Sequence, residues 1–196
     1  MDMQSAVPSA FAGRVVELLE HLHPLDRVAR AGYVLRGVTE PESVAAHSHF
    51  VSLMALLFVE QYPGRWDRER VLAMALVHDL AEARLMDIPL PAAGEGLRAA
   101  KDAAEQAIVS DLLRGFPERL AAAHREFAEA RTEEARLVRA LDKAQMMLKV
   151  WCYQQEQRGR LEEFWETRGN FEDYGIEPVR ALFDAICARA GRRRPR

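Results

Sequence analysis

A run of seven residues without a polar side chain, 71–77, leads directly into His78 and Asp79. A helix that is apolar on every side is normally buried, and burying an ionised carboxylate without a partner is strongly unfavourable. Asp79 therefore points out of the core, pairs with a cation or binds a metal ion. The run predicts a buried helix and demands a partner for the acid that follows it.

The rest of the chain also favours helices, because Ala, Leu, Glu and Arg dominate while Val, Ile and Thr are sparse. Asp67 and Thr132 are expected as N-caps. A length of 196 residues suits one domain with a sizeable core, so we predict a single all-α domain over 1–196. The expected helices cover about 9–23, 43–62, 67–84, 97–113, 118–130, 133–157 and 177–190, with short ones near 25–30 and 161–167.

Composition narrows the function classes. The net charge is −3 with a pI near 6.1, which argues against a nucleic-acid partner; the basic run at 191–196 is expected to be a solvated tail. Cys152 and Cys187 lack CxxC spacing, which favours a reduced, cytoplasmic chain. No secretory signal is evident, and no apolar stretch is expected to reach the length of a membrane span.

Polar residues at helical spacing could supply the missing partners. Glu82 lies four residues after His78 and three after Asp79, so all three are predicted on one helix face. His47 and Asp142 also lie in apolar helical surroundings. One ion bound by His47, His78, Asp79 and Asp142 would explain both of the acids in apolar helices, Asp79 and Asp142.

The polar residues of the apolar helices also have ordinary structural interpretations that need no metal ion. His47 could be a hydrogen-bonded core histidine, and Asp142 could pair with Lys143 or Arg139. His124 is expected at the surface, and Glu82 could pair with Arg84.

The ordered set His47, His78-Asp79 and Asp142 resembles the H…HD…D pattern of the HD superfamily of metal-dependent phosphohydrolases. Longer segments resemble the branch that holds the bacterial 5′-deoxynucleotidases and their eukaryotic HD-domain relatives. Those segments are YVLRGVTEPESVAAH (33–47), ALVHDLAEARLMDIPLP (75–91) and LDKAQMML (141–148), within a resemblance that covers about 27–171.

The resemblance implies an all-α HD fold, a homodimer and one divalent metal, with Mn, Co, Fe, Mg, Zn and Ni as candidates. The metal ligands match His47, His78, Asp79 and Asp142. Acids that act near the phosphate and the attacking water match Glu82 and Asp87. A phosphate-binding arginine matches either Arg30 or Arg36, and the loop between them does not decide which.

Two positions depart from the family pattern. Ala46 stands where an acid often precedes the first histidine, and Met86 stands where glycine often precedes the loop acid, here Asp87. The first change would remove a contact to His47, and the second would alter how Asp87 is aimed.

The expected activity is hydrolysis of (deoxy)nucleoside 5′-monophosphates, a small-molecule nucleotide substrate. Two alternatives stay open: hydrolysis of another phosphorylated nucleotide such as a triphosphate, and a metal-bound helical interaction module without turnover. For the dimer, Trp151, Tyr153, Phe164 and Trp165 are candidate interface residues, with packing inside the same chain as the alternative.

Overall fold

The computed structural model describes residues 3–89 and 95–195, and that part of the chain contains ten α-helices and no β-strand, which confirms the all-α prediction. Pro91, the end of the second quoted segment, and Arg196 of the basic tail lie outside the described residues. The helices are α1 (Met3–Leu22), α2 (Ala31–Val34), α3 (Val44–Gln61), α4 (Arg68–Val77), α5 (Glu82–Leu85), α6 (Glu95–Leu112), α7 (Arg119–Glu129), α8 (Glu133–Gln155), α9 (Glu162–Glu166) and α10 (Glu177–Arg189).

Side-chain caps define where the three central helices begin. The Oγ of Ser43 accepts from the amide of Ala46 at the start of α3, and Asp67 caps α4 in the same way. Thr132 caps α8 by accepting from the amide of Ala135. Each cap satisfies one amide that the first helical turn leaves without a partner, so the predicted caps Asp67 and Thr132 are confirmed.

The core is built where α3, α4 and α8 pack on one another, with α7 and α10 closing its sides. Helix α3 buries one stripe at helical spacing, formed by Val44, His47, Val51 and Ala55, each fully inaccessible to solvent. Helix α8 buries Leu137, Val138 and Leu141 against it, among others.

By length and composition, α3 (Val44–Gln61) is long and apolar enough to cross a membrane, so the expectation that no stretch reaches that length is wrong. The core helix of a water-soluble protein passes the same test. The buried stripe of α3 packs on α4 and α8, and 28% of the Val44–Gln61 stretch is buried.

The aromatic candidates for a dimer interface pack inside the chain. Tyr153 and Trp165 are buried, and Trp151 and Phe164 lie partly buried against the core. The indole of Trp165 donates to Gln154. These contacts match the alternative of packing within the same chain.

The helix that precedes the His-Asp pair ends earlier than predicted. Helix α4 stops at Val77, and the chain then turns through hydrogen bonds from Leu80 to Val77 and from Glu82 to Asp79 before α5 starts. Glu82 therefore does not share one continuous helix with His78. The expected loop after Arg30 also contains the short helix α2.

Candidate metal centre and active site

His78 is held at the end of α4 by a bond to its own helix. Its Nδ1 lies 2.9 Å from the carbonyl oxygen of Ala75, one turn earlier. A carbonyl can only accept, so Nδ1 carries the proton and the Nε2 lone pair is free to bind elsewhere. That Nε2 is buried and lies 3.2 Å from Asp79 Oδ2.

His47 reaches the same point from α3. Its Nε2 lies 3.1 Å from Asp142 Oδ1 on α8 and 3.7 Å from Asp79 Oδ2. Its Nδ1 lies 2.6 Å from Gln145 Oε1. The imidazole rings of His47 and His78 have centroids 5.6 Å apart, so two helices and the turn after α4 bring the two histidines and two acids together.

The cluster has the donor set of a metal site. Ligand atoms of His47, His78 and Asp79 all lie within 4.8 Å of one another, and Asp142 adjoins His47. The Nε2 atoms of both histidines and the Oδ2 of Asp79 are buried without a hydrogen-bond partner among the described residues. Buried polar atoms are normally satisfied, so a divalent cation between them fits the arrangement.

The acids of the cluster are ionised. Burial opposes the charge on Asp79, but in the metal-free protein a protonated His78, with its Nε2 3.2 Å away, outweighs burial and lowers the pKa of Asp79. Burial also opposes the charge on Asp142, but a protonated His47, with its Nε2 3.1 Å away, overcomes this effect, so the pKa of Asp142 also falls. A bound cation would take the place of the protons on the two imidazole Nε2 atoms, and ionised acids beside neutral imidazoles are the form in which these groups bind metal.

Arg30 faces this acidic cluster. Its Nη1 lies 3.7 Å from the Oδ2 atoms of both Asp79 and Asp87, and its Nη2 lies 4.0 Å from Asp142 Oδ1. The backbone places it there, because the amide of Arg30 donates to the carbonyl of Glu42. Burial disfavours its charge, but the surrounding acids raise the pKa of Arg30 further above its ordinary value.

The side chain of Arg36 contacts Glu163 rather than the acidic cluster. Its guanidinium donates twice to Glu163 Oε2, at 2.6 and 3.2 Å, and lies over the Phe164 ring. Of the two arginines that the sequence leaves open, the structure brings only Arg30 to the acids.

Asp87 and Glu82 flank the cluster in different ways. Asp87 Oδ2 accepts from the amide of Ala31 at 2.8 Å, which ties the loop after α5 to the start of α2. Glu82 is buried, and its Oε2 has no partner among the described residues. Burial, together with the charges of Asp79 and Asp87, raises the pKa of Glu82 to about 10. Arg84 pairs with Asp111 rather than with Glu82.

The sequence-based interpretation missed three residues. Gln145 and Glu42 form a buried chain behind His47, and His124 is buried although the sequence analysis expects it at the surface. Burial lowers the pKa of His124 to about 4. A signal existed for His124, because it shares a helical stripe with Leu120 and Phe127.

A family model described as an HD domain matches residues 22–175, more than three quarters of the chain. The chain belongs to the HD domain family. The sequence pair His78-Asp79 lies within the matched residues, in the turn after α4.

Proteins with names and a solved structure are similar to this chain over most of its length. The 5′-deoxynucleotidase HDDC2 of Bos taurus is 32% identical over 86% of this chain and 86% of its own length. The 5′-deoxynucleotidase HDDC2 of Xenopus laevis is 30% identical over 93% of this chain and 92% of its own length. A crystal structure from Pyrococcus horikoshii OT3 is 34% identical, with a TM-score of 0.72, and covers 90% of this chain and 98% of its own.

Proposed function

We propose that this protein hydrolyses the phosphomonoester of (deoxy)nucleoside 5′-monophosphates with a bound divalent metal ion. The observation that carries the proposal is the cluster of His47, His78 and Asp79, whose buried ligand atoms face one another and lack hydrogen-bond partners among the described residues. Membership of the HD domain family and the relatives named 5′-deoxynucleotidase support the substrate class.

The ligands of the metal ion in this proposal are His47, His78, Asp79 and Asp142. When bound, a divalent cation lowers the pKa of a coordinated water and neutralises charge on phosphoryl oxygens. Nitrogen and oxygen donors without a thiolate suit Mn, Co, Fe, Mg, Zn or Ni. The described cysteines, Cys152 and Cys187, are not part of the cluster.

Arg30 binds the substrate phosphate in this account. Its guanidinium already faces three carboxylates at 3.7–4.0 Å, distances longer than tight ion pairs. A phosphate oxygen would accept charge-assisted bonds from the same fork of donors. Binding by a fixed, half-buried cation also orients the phosphorus toward the cluster, and this positioning is a large part of phosphoryl-transfer catalysis.

The two acids beside the metal ligands, Glu82 and Asp87, act on the water, the leaving group and the phosphate-binding arginine. The raised pKa of Glu82 keeps a proton on its carboxyl near neutral pH, which suits donation to the leaving 5′ oxygen. A bound cation would oppose this rise and favour the ionised form, which suits orientation of the attacking water. Asp87 holds Arg30 and the start of α2 through its Oδ2, so it also fixes the phosphate-binding group.

The two alternatives predict different site features. An interaction module without turnover needs no buried acid beyond the ligands, yet Glu82 lies buried beside them, and its Oε2 has no hydrogen-bond partner within 3–89 and 95–195. A triphosphate substrate would bring more negative charge, and Arg30 is the one arginine among the described residues for which a contact with the cluster is seen. Both features favour the monophosphate.

We also propose that the protein forms a homodimer in the cytoplasm. Phe50, Leu53 and Leu57 form an exposed apolar face on α3, which suits an interface. Both cysteines are free thiols, as in a reducing compartment. Sedimentation at micromolar concentration tests the dimer, and a monomer would contradict it.

The substrate class is tested by phosphate release from a panel of nucleotides at saturating Mn²⁺ and, separately, Co²⁺. The panel holds deoxy- and ribonucleoside 5′-monophosphates, the matching 3′-monophosphates and the 5′-triphosphates. We expect release from 5′-monophosphates, faster with the deoxy sugars. Release from triphosphates alone would move the function to the first alternative, and no release from any nucleotide would contradict the proposal.

A further inference from the structure

A buried chain of polar side chains stands behind His47, on the side away from the acids. Gln145 Oε1 lies 2.6 Å from His47 Nδ1, and Gln145 Nε2 donates to Glu42 Oε2 at 3.0 Å. All three residues are buried. Lys149 Nζ lies 3.7 Å from the same carboxylate oxygen of Glu42 and balances its charge.

The donors and acceptors in this series of hydrogen bonds follow from which groups can donate and which can only accept. The two ends of a glutamine amide have nearly the same shape, so His47 alone would not determine which end faces it. A carboxylate accepts only, so Glu42 draws the Nε2 of Gln145 toward itself. The Oε1 of Gln145 is then left facing His47, whose Nδ1 must carry the proton.

Backbone bonds hold Glu42 in place. Its amide donates to the Tyr153 hydroxyl at 2.7 Å, and its carbonyl accepts from the amide of Arg30. Asp142, Gln145, Lys149 and Tyr153 follow one another at spacings of three, four and four along α8, so they share one helix face. Glu42 therefore joins this face of α8 to the segment that carries Arg30.

We propose that Gln145 and Glu42 are positioning residues that fix His47 in the Nδ1–H tautomer, with the Nε2 lone pair aimed at the metal. His78 reaches the same state through the carbonyl of Ala75. In the family an acid often precedes the first histidine and could contact it, but here that position is Ala46. The Gln145–Glu42 pair supplies a hydrogen-bonded contact to His47 that Ala46 cannot make. The inference rests on the metal centre of the proposed function and adds the residues that prepare one ligand.

The test uses zinc as the probe, because it is diamagnetic and allows NMR of the loaded protein. In the wild type, a long-range ¹H–¹⁵N correlation spectrum should show His47 protonated at Nδ1. Changing Gln145→Leu keeps the volume and removes the acceptor, and should weaken zinc affinity about 10- to 100-fold. Gln154→Leu is the matched control on the same helix, since Gln154 bonds to Trp165 and Glu162 instead; its zinc affinity should stay at the wild-type value.

A swap of the two side chains, Glu42→Gln with Gln145→Glu, separates positioning from packing. The carboxylate introduced at position 145 would accept from His47 Nδ1 and from the new amide at position 42, so zinc affinity should recover most of what Gln145→Leu loses. Wild-type affinity in Gln145→Leu would overturn the inference. If that variant does not fold, a wild-type spectrum with His47 protonated at Nε2 would overturn it instead. Neither measurement uses a nucleotide, so failure of the phosphatase activity would be a separate result.

Discussion

The Nη1 atom of Arg30 lies 3.7 Å from the Oδ2 atom of Asp79, so a cation from the segment before α2 faces the acid that follows α4. The same arginine lies 3.7 Å from Asp87. This relationship links the proposed metal ligands to the group that we propose binds phosphate. It favours Arg30 over Arg36, which pairs with Glu163 instead.

Changing Arg30→Ala should reduce kcat/KM for a deoxynucleoside 5′-monophosphate by about 10²-fold or more, because a half-buried donor that matches the phosphate is lost. Arg36→Ala is the matched control and should keep near-wild-type kinetics, since Arg36 pairs with Glu163. Steady-state kinetics at saturating metal measures both. Equal losses in the two variants would contradict the assignment of Arg30.

Changing Glu82→Gln or Asp87→Asn should leave metal content at the wild-type level and lower kcat by a factor of about 10²–10⁴, as expected for lost proton transfer. Metal analysis and phosphate release on the same preparations give the two readouts. Asp111→Asn is the control, because it removes only the partner of Arg84 and Arg114. Full turnover in Glu82→Gln and Asp87→Asn would show that these acids are structural.

Features of this site that depend on residues close together in the sequence could be predicted, whereas features that depend on residues far apart could not. The apolar run before His78 and the lone acid Asp142 identify groups that need a partner, because burial and helical spacing are local properties. The end of α4 at Val77 is not visible, because no glycine or proline marks it between Asp67 and Glu82. Helical periodicity alone continues through such a turn.

The choice of Arg30 depends on contacts distant in sequence. Its position follows from the bond of its amide to Glu42 and from Asp87, which binds the start of α2. The Gln145–Glu42 pair likewise joins residues 103 positions apart. One sequence does not show such pairings, whereas the buried stripe that contains His124 is a local pattern that the sequence does carry.

His124 should make the stability of the metal-free protein depend on pH. Burial lowers its pKa from 6.5 to about 4, despite the opposing charge of Asp79; His78, Arg125 and Lys101 add to the lowering. Below pH 6.5 the unfolded chain binds a proton that the folded chain does not bind until about pH 4. The free energy of unfolding should therefore fall as pH decreases through this window, by up to about 3 kcal/mol from this group.

Urea unfolding in the presence of chelator, at pH values from 4 to 7, measures this contribution. In His124→Phe the part of the pH dependence that comes from His124 should be absent. The exposed His49, changed to Gln, serves as the control and should leave the profile as in the wild type. An unchanged profile in His124→Phe would show that His124 does not stay neutral when buried.

Met86 occupies a backbone conformation that favours glycine. Its φ is 65° and its ψ is 169° at the end of α5, a region that side chains rarely adopt. Changing Met86→Gly should relieve this strain and raise the free energy of unfolding by about 1 kcal/mol, after the entropic cost of glycine. Chemical denaturation measures the change. A loss of stability would indicate that the exposed Met86 side chain contributes more by packing than the strain costs.

The most direct test of the central claim is phosphate release from a deoxynucleoside 5′-monophosphate during metal titration of the chelated protein. Wild type should be inactive after chelation and regain activity in proportion to bound metal, with saturation at one ion per chain. Asp79→Ala should bind no ion and stay inactive while its helical circular dichroism is unchanged, because a buried charge and a ligand are lost together. Full activity of the chelated wild type, or wild-type metal content in Asp79→Ala, would contradict the account.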